Sequence, residues 1–177
     1  MKYIDLPHGN AALALFPYVR GFGWAVFDGP LSLVFRGVSS VARKREPSDA
    51  KNERCLRAIE KLLQEYRPPV VVLEAFEGPG TRRHARIKKL CRSIIALAAV
   101  HGATVRVLTR EQIHSYFASY EPKTRYDVAG IVASFVTAIK HLLPKKRKAW
   151  ETEEPIAALF NAVALLIAYY ANPREPL

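Results

Sequence analysis

The stretch from Leu13 to Gly29 constrains the fold of this chain more than any other. Apolar and aromatic residues predominate in it. Pro17 and Gly21 predict a turn in its middle, because proline fixes φ and glycine accepts a positive φ. The runs on either side are short and apolar or β-branched, which is typical of strands, and a third such run follows another turn signal. The predicted strands are Leu13 to Phe16, Phe22 to Phe27 and Leu31 to Val38. The chain therefore opens on an antiparallel three-strand meander.

Helical and strand-like segments alternate after this meander. Val70 to Phe76 is a continuous apolar run interrupted only by Glu74, and it is the clearest buried strand of the chain. Ser48 or Asp49 is available to cap the helix that precedes it. Another strand is predicted at Thr104 to Leu108. The predicted helices run from about Asn52 to Tyr66, from the end of the glycine-rich loop Glu77 to Arg83 as far as His101, from Thr109 to about Tyr116, from Tyr126 to Leu143, and from Pro155 to about Tyr170.

This order of elements predicts one α/β domain over residues 1–177, a length that suits a single core. A leading meander followed by alternating helices and strands predicts a mixed five-stranded sheet with helices on both faces. The apolar stretch from Ile156 to Ala171 is too short to span a bilayer comfortably, and no signal peptide is recognisable. Cys55 and Cys91 have no metal-ligand spacing and are expected to be buried, reduced thiols, so we expect a cytoplasmic protein.

The chain is strongly basic, with a formal net charge of +11. Such a charge on a globular domain favours a polyanionic partner, usually nucleic acid, although a solvated basic surface without a partner is the alternative. Trp150, Tyr116 and Tyr120 could stack on exposed bases or serve only in packing. The positive charge is concentrated in two segments, whose members are Arg82, Arg83, Arg86, Lys88, Lys89 and Arg92 in the first, and Lys145, Lys146, Arg147 and Lys148 in the second.

Three segments together carry a resemblance to a known family. Arg20 to Phe27 (RGFGWAVF), Val70 to Phe76 (VVVLEAF) and Leu159 to Ala168 (LFNAVALLIA) follow one another in the right order. In these segments the chain resembles the RNase H-like superfamily, and within it the RuvC-type Holliday junction resolvases. The resemblance extends from Leu13 to Tyr170. It implies the corresponding fold, and it implies DNA, branched DNA in particular, as the partner. Resolvases of this family act as dimers, so the resemblance also allows a homodimer.

The resemblance implies a two-metal nuclease site, but most of its acids are missing. In that chemistry two Mg²⁺ ions about 3.5–4 Å apart are held by several carboxylates. The first family position falls on Phe16, the second on Glu74, and those of the last helix on Ala158 and Asn161. Only Glu74 keeps a charge, and a phenyl ring cannot ligate a metal. We therefore expect no metal or other cofactor, with Glu74 and Asn161 as the ligands if any metal binds.

Other acids could in principle rebuild such a site. Asp5 would serve if Tyr3 to Leu6 were the true first strand, whereas Asp28 is expected at the wrong end of the sheet. Charges near the motif edges are expected to be solvated or to favour a helix N-terminus. These are Glu77, Glu153 and Glu154. Glu74 itself is either a working catalytic residue or a vestigial acid that pairs with Asn161 or with a nearby arginine.

Three functions follow from these observations. The first is a catalytically degenerate nuclease fold that binds nucleic acid. The second is an active Mg²⁺-dependent endonuclease whose site is rearranged or completed by a partner. The third is a structural or interaction subunit that keeps the fold without binding nucleic acid. Metal-dependent cleavage would distinguish the second from the others, and salt-sensitive binding to a DNA junction would distinguish the first from the third.

Overall fold

Five strands form one mixed sheet in the computed structural model, which describes residues 10–41, 45–79, 81–148 and 154–172. The strands are β1 (Ala12–Tyr18), β2 (Gly21–Gly29), β3 (Ser32–Ser40), β4 (Val70–Glu74) and β5 (Thr104–Leu108). Their order in the sheet is β3-β2-β1-β4-β5. The first three pair antiparallel as a meander, and β4 and β5 continue the sheet parallel to β1. The predicted topology is confirmed.

Helices cover both faces of the sheet. They are α1 (Ser48–Tyr66), α2 (Ala85–Val100), α3 (Arg110–Phe117), α4 (Arg125–Phe135) and α5 (Pro155–Ala171), with short 3₁₀ helices at Ala118–Tyr120 and Thr137–Leu142. Because side chains alternate along a strand, Leu13 and Leu15 of β1 pack towards α1 and α2, whereas Ala14 and Phe16 pack towards α4 and α5. Within the described residues, no helix is both long and apolar enough to cross a membrane.

Helix α5 lies directly on the meander because small residues allow its backbone to approach. A Cβ atom added to Gly23 would fall 2.2 Å from the carbonyl carbon of Ala158, so any larger residue at position 23 would push the helix away. Ala158 is accordingly buried against β2. This close contact fixes where the rest of α5, including Asn161, lies relative to the strand ends.

The first hairpin turns within the span predicted between Phe16 and Phe22, but the two residues that indicated the turn are not part of it. Pro17 and Gly21 both lie inside paired strands, and the turn consists of Val19 and Arg20. Gly21 is needed for a different reason, since a Cβ there would lie 1.8 Å from the carbonyl oxygen of Ser39 on β3. The glycine therefore permits close strand packing rather than a positive φ.

Two helix predictions were also inaccurate. The single long helix predicted over Tyr126 to Leu143 ends at Phe135, because Val136 adopts an extended backbone (φ −115°, ψ 79°) before the 3₁₀ helix begins. This change of path buries Ile139 completely in the core on the α5 side. Helix α1 begins at Ser48, earlier than predicted, and the residue before it is Pro47, which offers no side-chain cap.

Both cysteines are buried and free, as expected from their apolar surroundings. Burial raises the pKa of Cys55 to about 11, and the neighbouring Arg86 only partly offsets this effect. Burial raises the pKa of Cys91 to about 11 as well. Both thiols are therefore neutral at physiological pH and serve as core side chains.

Candidate functional site

The carboxyl ends of β1 and β4 lie side by side and bring the predicted site positions together. The parallel pairing places Ala14 opposite Val72, and the same register continued by two residues places Phe16 beside Glu74. Helix α5 adds Asn161 from the face above. These three residues line one small cavity of about 60 Å³, whose other lining residues are Arg110, Ile113, His114, Arg125 and Leu165.

Glu74 is engaged by an arginine and not by Asn161. Its carboxylate oxygen Oε2 accepts a hydrogen bond of 2.5 Å from Nη2 of Arg83, within an ion pair whose side chains are only 13% and 19% exposed. The same guanidinium donates to the carbonyl oxygen of Pro17 at 2.8 Å and lies 4.6 Å from the centre of the Phe16 ring. The predicted pairing of Glu74 with a nearby arginine is thus present, and the charge of the carboxylate is neutralised by a cation of the protein.

The residues of this cavity do not fit a pair of magnesium ions. Such a site needs several hard anionic ligands, whereas this one offers one carboxylate bonded to Arg83, the neutral amide of Asn161 and the buried ring of Phe16. Ala158 does not line the cavity, since it packs against β2. Among the described residues, no group of three or more His, Cys, Asp or Glu side chains is arranged to hold a metal ion.

The alternative acids are not gathered at this site. Asp28 lies near the end of β2 that pairs with the start of β1, which is the opposite end of the sheet from Phe16. Glu77 is bonded to Arg92 on α2. Glu154 immediately precedes α5, close to the second basic segment. Asp5 and Glu153, and also Trp150, lie outside the described residues.

The two tyrosines proposed for base stacking are packed against other rings. Tyr116 meets Phe117 edge to face, with ring centres 5.0 Å apart, and Tyr120 meets Phe135 in the same way at 5.5 Å. Edge-to-face contacts of this kind stabilise cores. Tyr120 nevertheless remains about half exposed. These contacts agree with a role of both tyrosines in packing, and part of the Tyr120 ring remains exposed to solvent.

Several cations of the first basic segment are used inside the protein. Arg86 donates to Oδ1 of Asn52 at 3.0 Å and to the carbonyl oxygens of Tyr18 and Val19 at 3.2 and 2.8 Å, so it holds the first hairpin against α2. In the same segment, Lys89 pairs with Asp49 at 2.8 Å and Arg92 pairs with Glu77. Arg82 and Lys88 have no hydrogen bond or ion pair within the described part of the chain.

The second basic segment lines a larger cavity next to the small one. This cavity, of about 290 Å³, lies between the start of α4, the basic loop and α5, and includes Arg125, Tyr126 and Asn161. The four cations predicted from the sequence all line it: Lys145, Lys146, Arg147 and Lys148. A third cavity of about 410 Å³ on the other side includes Glu74, Arg82, Arg83, Arg110 and Arg125.

Arg125 lines all three cavities, so they adjoin and form one depression across the strand ends. We refer to this depression as the basic groove. Its members are Arg82, Arg83, Arg110, Arg125, Asn161 and residues 145–148. The groove brings the two basic segments of the sequence to the same end of the sheet, on either side of Phe16 and Glu74. An extended polyanion lying in it would pass directly over the small cavity.

The sequence analysis missed Arg110 and Arg125, although a local signal for them exists. Each is the first residue of a helix and follows a threonine that closes a capping box. The hydroxyl of Thr109 accepts from the backbone N–H of Gln112 at 3.2 Å, and the hydroxyl of Thr124 accepts from that of Asp127 at the same distance. The pattern Thr-Arg-x-Gln/Asp could have predicted two arginines held at helix starts.

The carboxylates near these helix starts are stabilised in their charged form. Hydrogen bonds, chiefly from the hydroxyl and backbone N–H of Thr124, lower the pKa of Asp127, and the positive charge of Lys146 contributes. Hydrogen bonds from its own backbone N–H and from Thr109 lower the pKa of Glu111. Both acids therefore stay ionised and serve their helix starts.

Comparison with known proteins identifies the fold. No protein-family model matches the chain, and no curated protein matches it significantly. Among solved structures it is similar to RuvC of Thermus thermophilus, with a TM-score of 0.65 and 17% identity over 91% of this chain and 95% of that chain. The T. thermophilus RuvC structure in complex with a Holliday junction substrate gives a TM-score of 0.66 and 18% identity over 92% and 95%.

A third similar structure is the yeast mitochondrial Holliday junction resolvase Ydc2. It has a TM-score of 0.59 and 12% identity over 90% of this chain and 77% of that chain. At such identities the similarity shows the fold alone. The chain has an RNase H-like fold of the RuvC type, as the resemblance in the sequence predicted.

Proposed function

We propose that this protein binds nucleic acid in the basic groove and does not cleave it. One observation carries the proposal: the cavity formed by Phe16, Glu74 and Asn161 has, among the described residues, a single carboxylate, which is already paired with Arg83, and it is also lined by Arg110 and Arg125. A nuclease site must hold metal cations, which requires an excess of negative charge. This site has an excess of positive charge, which suits phosphate groups directly.

The fold supports DNA, and branched DNA in particular, as the ligand. One of the similar structures is RuvC of T. thermophilus in complex with a Holliday junction substrate. The groove of the present chain has basic residues at both of its ends, Arg82 on one side and residues 145–148 on the other. That arrangement favours a ligand with an extended phosphate backbone over a small anion.

The proposal is tested with a four-way DNA junction in low salt. We expect salt-sensitive binding by the wild-type protein, and no cleavage with either Mg²⁺ or Mn²⁺. The Glu74→Gln variant serves as the control for cleavage, because it removes the one family carboxylate. Robust cleavage by the wild type that Glu74→Gln abolishes would replace the proposal by an active endonuclease. An absence of binding in low salt would favour an interaction subunit.

A further inference from the structure

The centre of the basic groove carries positive charge that no described carboxylate pairs with. Glu74 is taken by Arg83, which leaves Arg110 and Arg125 without a hydrogen bond or ion pair in the described part of the chain. Both line the small cavity together with His114. Other described acids line only the adjoining cavities: Glu77, which is bonded to Arg92, Glu111, which is exposed and already receives hydrogen bonds at the start of α3, and Glu154 at the start of α5. The cavity therefore has unbalanced cations on two of its sides.

Both arginines are exposed to solvent, and their places at helix starts slightly disfavour a positive charge. Each lies in the first turn of a helix, α3 or α4, where the partial positive charge of the helix dipole disfavours a cation by about 0.3–1 kcal/mol. The capping boxes nevertheless fix both helix starts next to the cavity. An anion between them would be stabilised by two guanidinium groups and would also offset their repulsion.

The lining of the small cavity suits a phosphate group of a strand that lies in the groove. The cavity, of about 60 Å³, adjoins the two larger cavities through Arg125, so a backbone phosphate can enter it from either side. Phe16 lines the cavity, and the guanidinium of Arg125 lies 5.8 Å from the centre of its ring. The apolar side chains of Ile113 and Leu165 line it as well. A phosphate here would be partly desolvated, which strengthens its interaction with the arginines.

From these features we infer that Arg110 and Arg125 form a metal-independent clamp for a single backbone phosphate of the bound nucleic acid. This inference rests on the proposed function and specifies its central contact. Arg83 does not share this role, because it neutralises Glu74 and keeps that carboxylate from repelling the phosphate. The guanidinium groups thereby stand in for the divalent cations that a nuclease of this fold would use at the same place.

The salt dependence of junction binding tests the clamp. Neutralising one phosphate contributes about 0.9 to the slope of log K against log salt, so Arg110→Gln with Arg125→Gln should reduce the slope by about one unit. The matched control is Arg57→Gln with Lys61→Gln on the exposed surface of α1, which removes the same charge and should leave the slope unchanged. A reduction of about two units would mean two separate phosphates, and no reduction would mean no contact. Either result would overturn the clamp.

The independence from metal is measured in the same assay. With EDTA the wild-type affinity should be unchanged, and Mg²⁺ at matched ionic strength should lower it or leave it as it is. A several-fold gain in affinity on adding Mg²⁺ would overturn the clamp and would leave nucleic-acid binding itself intact.

A second measurement separates failure of the clamp from failure of the proposed function. Inorganic phosphate should raise the Tm of the wild type and of the Arg57/Lys61 control more than it raises that of the Arg110/Arg125 variant, with chloride at equal ionic strength as reference. If the wild type binds no junction but shows this difference, the two arginines bind phosphate, whereas the proposed function, and with it a nucleic-acid backbone as the source of that phosphate, fails. If the three proteins respond equally to phosphate, the clamp is wrong whatever the DNA result.

Discussion

At residue 16 an aromatic ring lies beside Glu74, and the charge of that carboxylate is balanced by Arg83. Phe16 is buried, with its ring beneath Arg83 and close to Arg125. The apolar ring packs with the core on the α5 side, and the guanidinium groups of Arg83 and Arg125 lie near its face. Residue 16 therefore contributes packing and cation–π contacts to this site.

Removing Arg83 should destabilise the fold markedly. Arg83→Gln would leave Glu74 largely buried without its cation, and breaking a buried ion pair in this way costs about 3 kcal/mol or more. Urea denaturation of the single and double variants checks this expectation. Adding Glu74→Gln to Arg83→Gln should recover much of the lost stability, since no unpaired charge then remains. If the double variant is as unstable as the sum of the two single variants, the ion pair is not the cause.

Introducing carboxylates at residues 16 and 161 tests whether the missing acids are what prevents metal binding. Phe16→Asp with Asn161→Asp should raise Mg²⁺ affinity more than either change alone, because metal ligands must come from both β1 and α5. Adding Arg83→Gln should raise it further, since Glu74 is then free to ligate. Calorimetric titration with Mg²⁺ measures the affinity, and thermal unfolding must accompany it, because loss of the Phe16 ring costs about 3 kcal/mol or more. Equal affinities in all variants would show that the cavity cannot hold the ion.

At the scale of single elements, the two capping boxes place the arginines of the groove. Thr124→Ala should destabilise the protein by about 1 kcal/mol, which is the usual cost of losing such a cap, and should weaken DNA binding because the first turn of α4 carries Arg125. Ser134→Ala, an exposed position later in the same helix, is the matched control and should change neither property. Unfolding curves and junction titrations measure both. Unchanged DNA binding by a destabilised Thr124→Ala variant would separate the cap from the groove.

The same capping box predicts a dependence of stability on acid pH. Hydrogen bonds from Thr124 lower the pKa of Asp127 in the folded state, so the unfolded state binds its proton first as the pH falls. Stability from this group is present above the unfolded pKa, about 3.9, and is lost as the pH falls through the lower, folded value. The Asp127→Asn variant should therefore show a shallower loss of Tm below about pH 4 than the wild type. Parallel acid profiles for the two proteins would contradict this assignment.

The elements that could be predicted from the sequence are those that the pattern of apolar and β-branched residues within the element itself indicates. The apolar run at β4 and the β-branched run at β5 are recognisable because burial on a sheet demands them. The role of Gly21 and the end of α4 were not predicted correctly, because both depend on contacts distant in sequence. Gly21 is required by Ser39 on β3, and the break at Val136 serves the burial of Ile139. Sequence patterns that extend over a few neighbouring residues carry no information about either contact.

In the candidate site, too, the positions of the residues could be predicted from the sequence, but their contacts could not. Order and spacing were enough to place Phe16, Glu74 and Asn161 at one cavity. The use of each cation could not be predicted from composition, because Arg86 and Arg110 are chemically identical. The first is bonded to the hairpin carbonyls, and the second lines the groove. Only the three-dimensional positions of their neighbours distinguish structural from available charge.

At the scale of the whole molecule, the fold brings two separate basic segments of the chain to one end of the sheet. The parallel strands β1 and β4 end at this edge, and the loops that follow them and precede α5 surround it. A long polyanion could therefore contact both segments at once. Because the groove is continuous through Arg125, the basic residues at its two ends should contact the same ligand.

The two ends of the groove should make additive contributions to DNA binding. Lys145→Gln with Lys146→Gln should lower the salt slope by up to about 1.8, and Arg82→Gln at the other end by up to about 0.9, if each cation contacts its own phosphate. The triple variant should show the sum, since distant sites without shared partners act independently. Junction titrations over a range of salt concentrations measure the slopes, with Arg57→Gln and Lys61→Gln as the charge-matched control for the Lys145/Lys146 variant. An effect at one end alone would confine the ligand to half of the groove, because a strand that spans the groove must contact both ends.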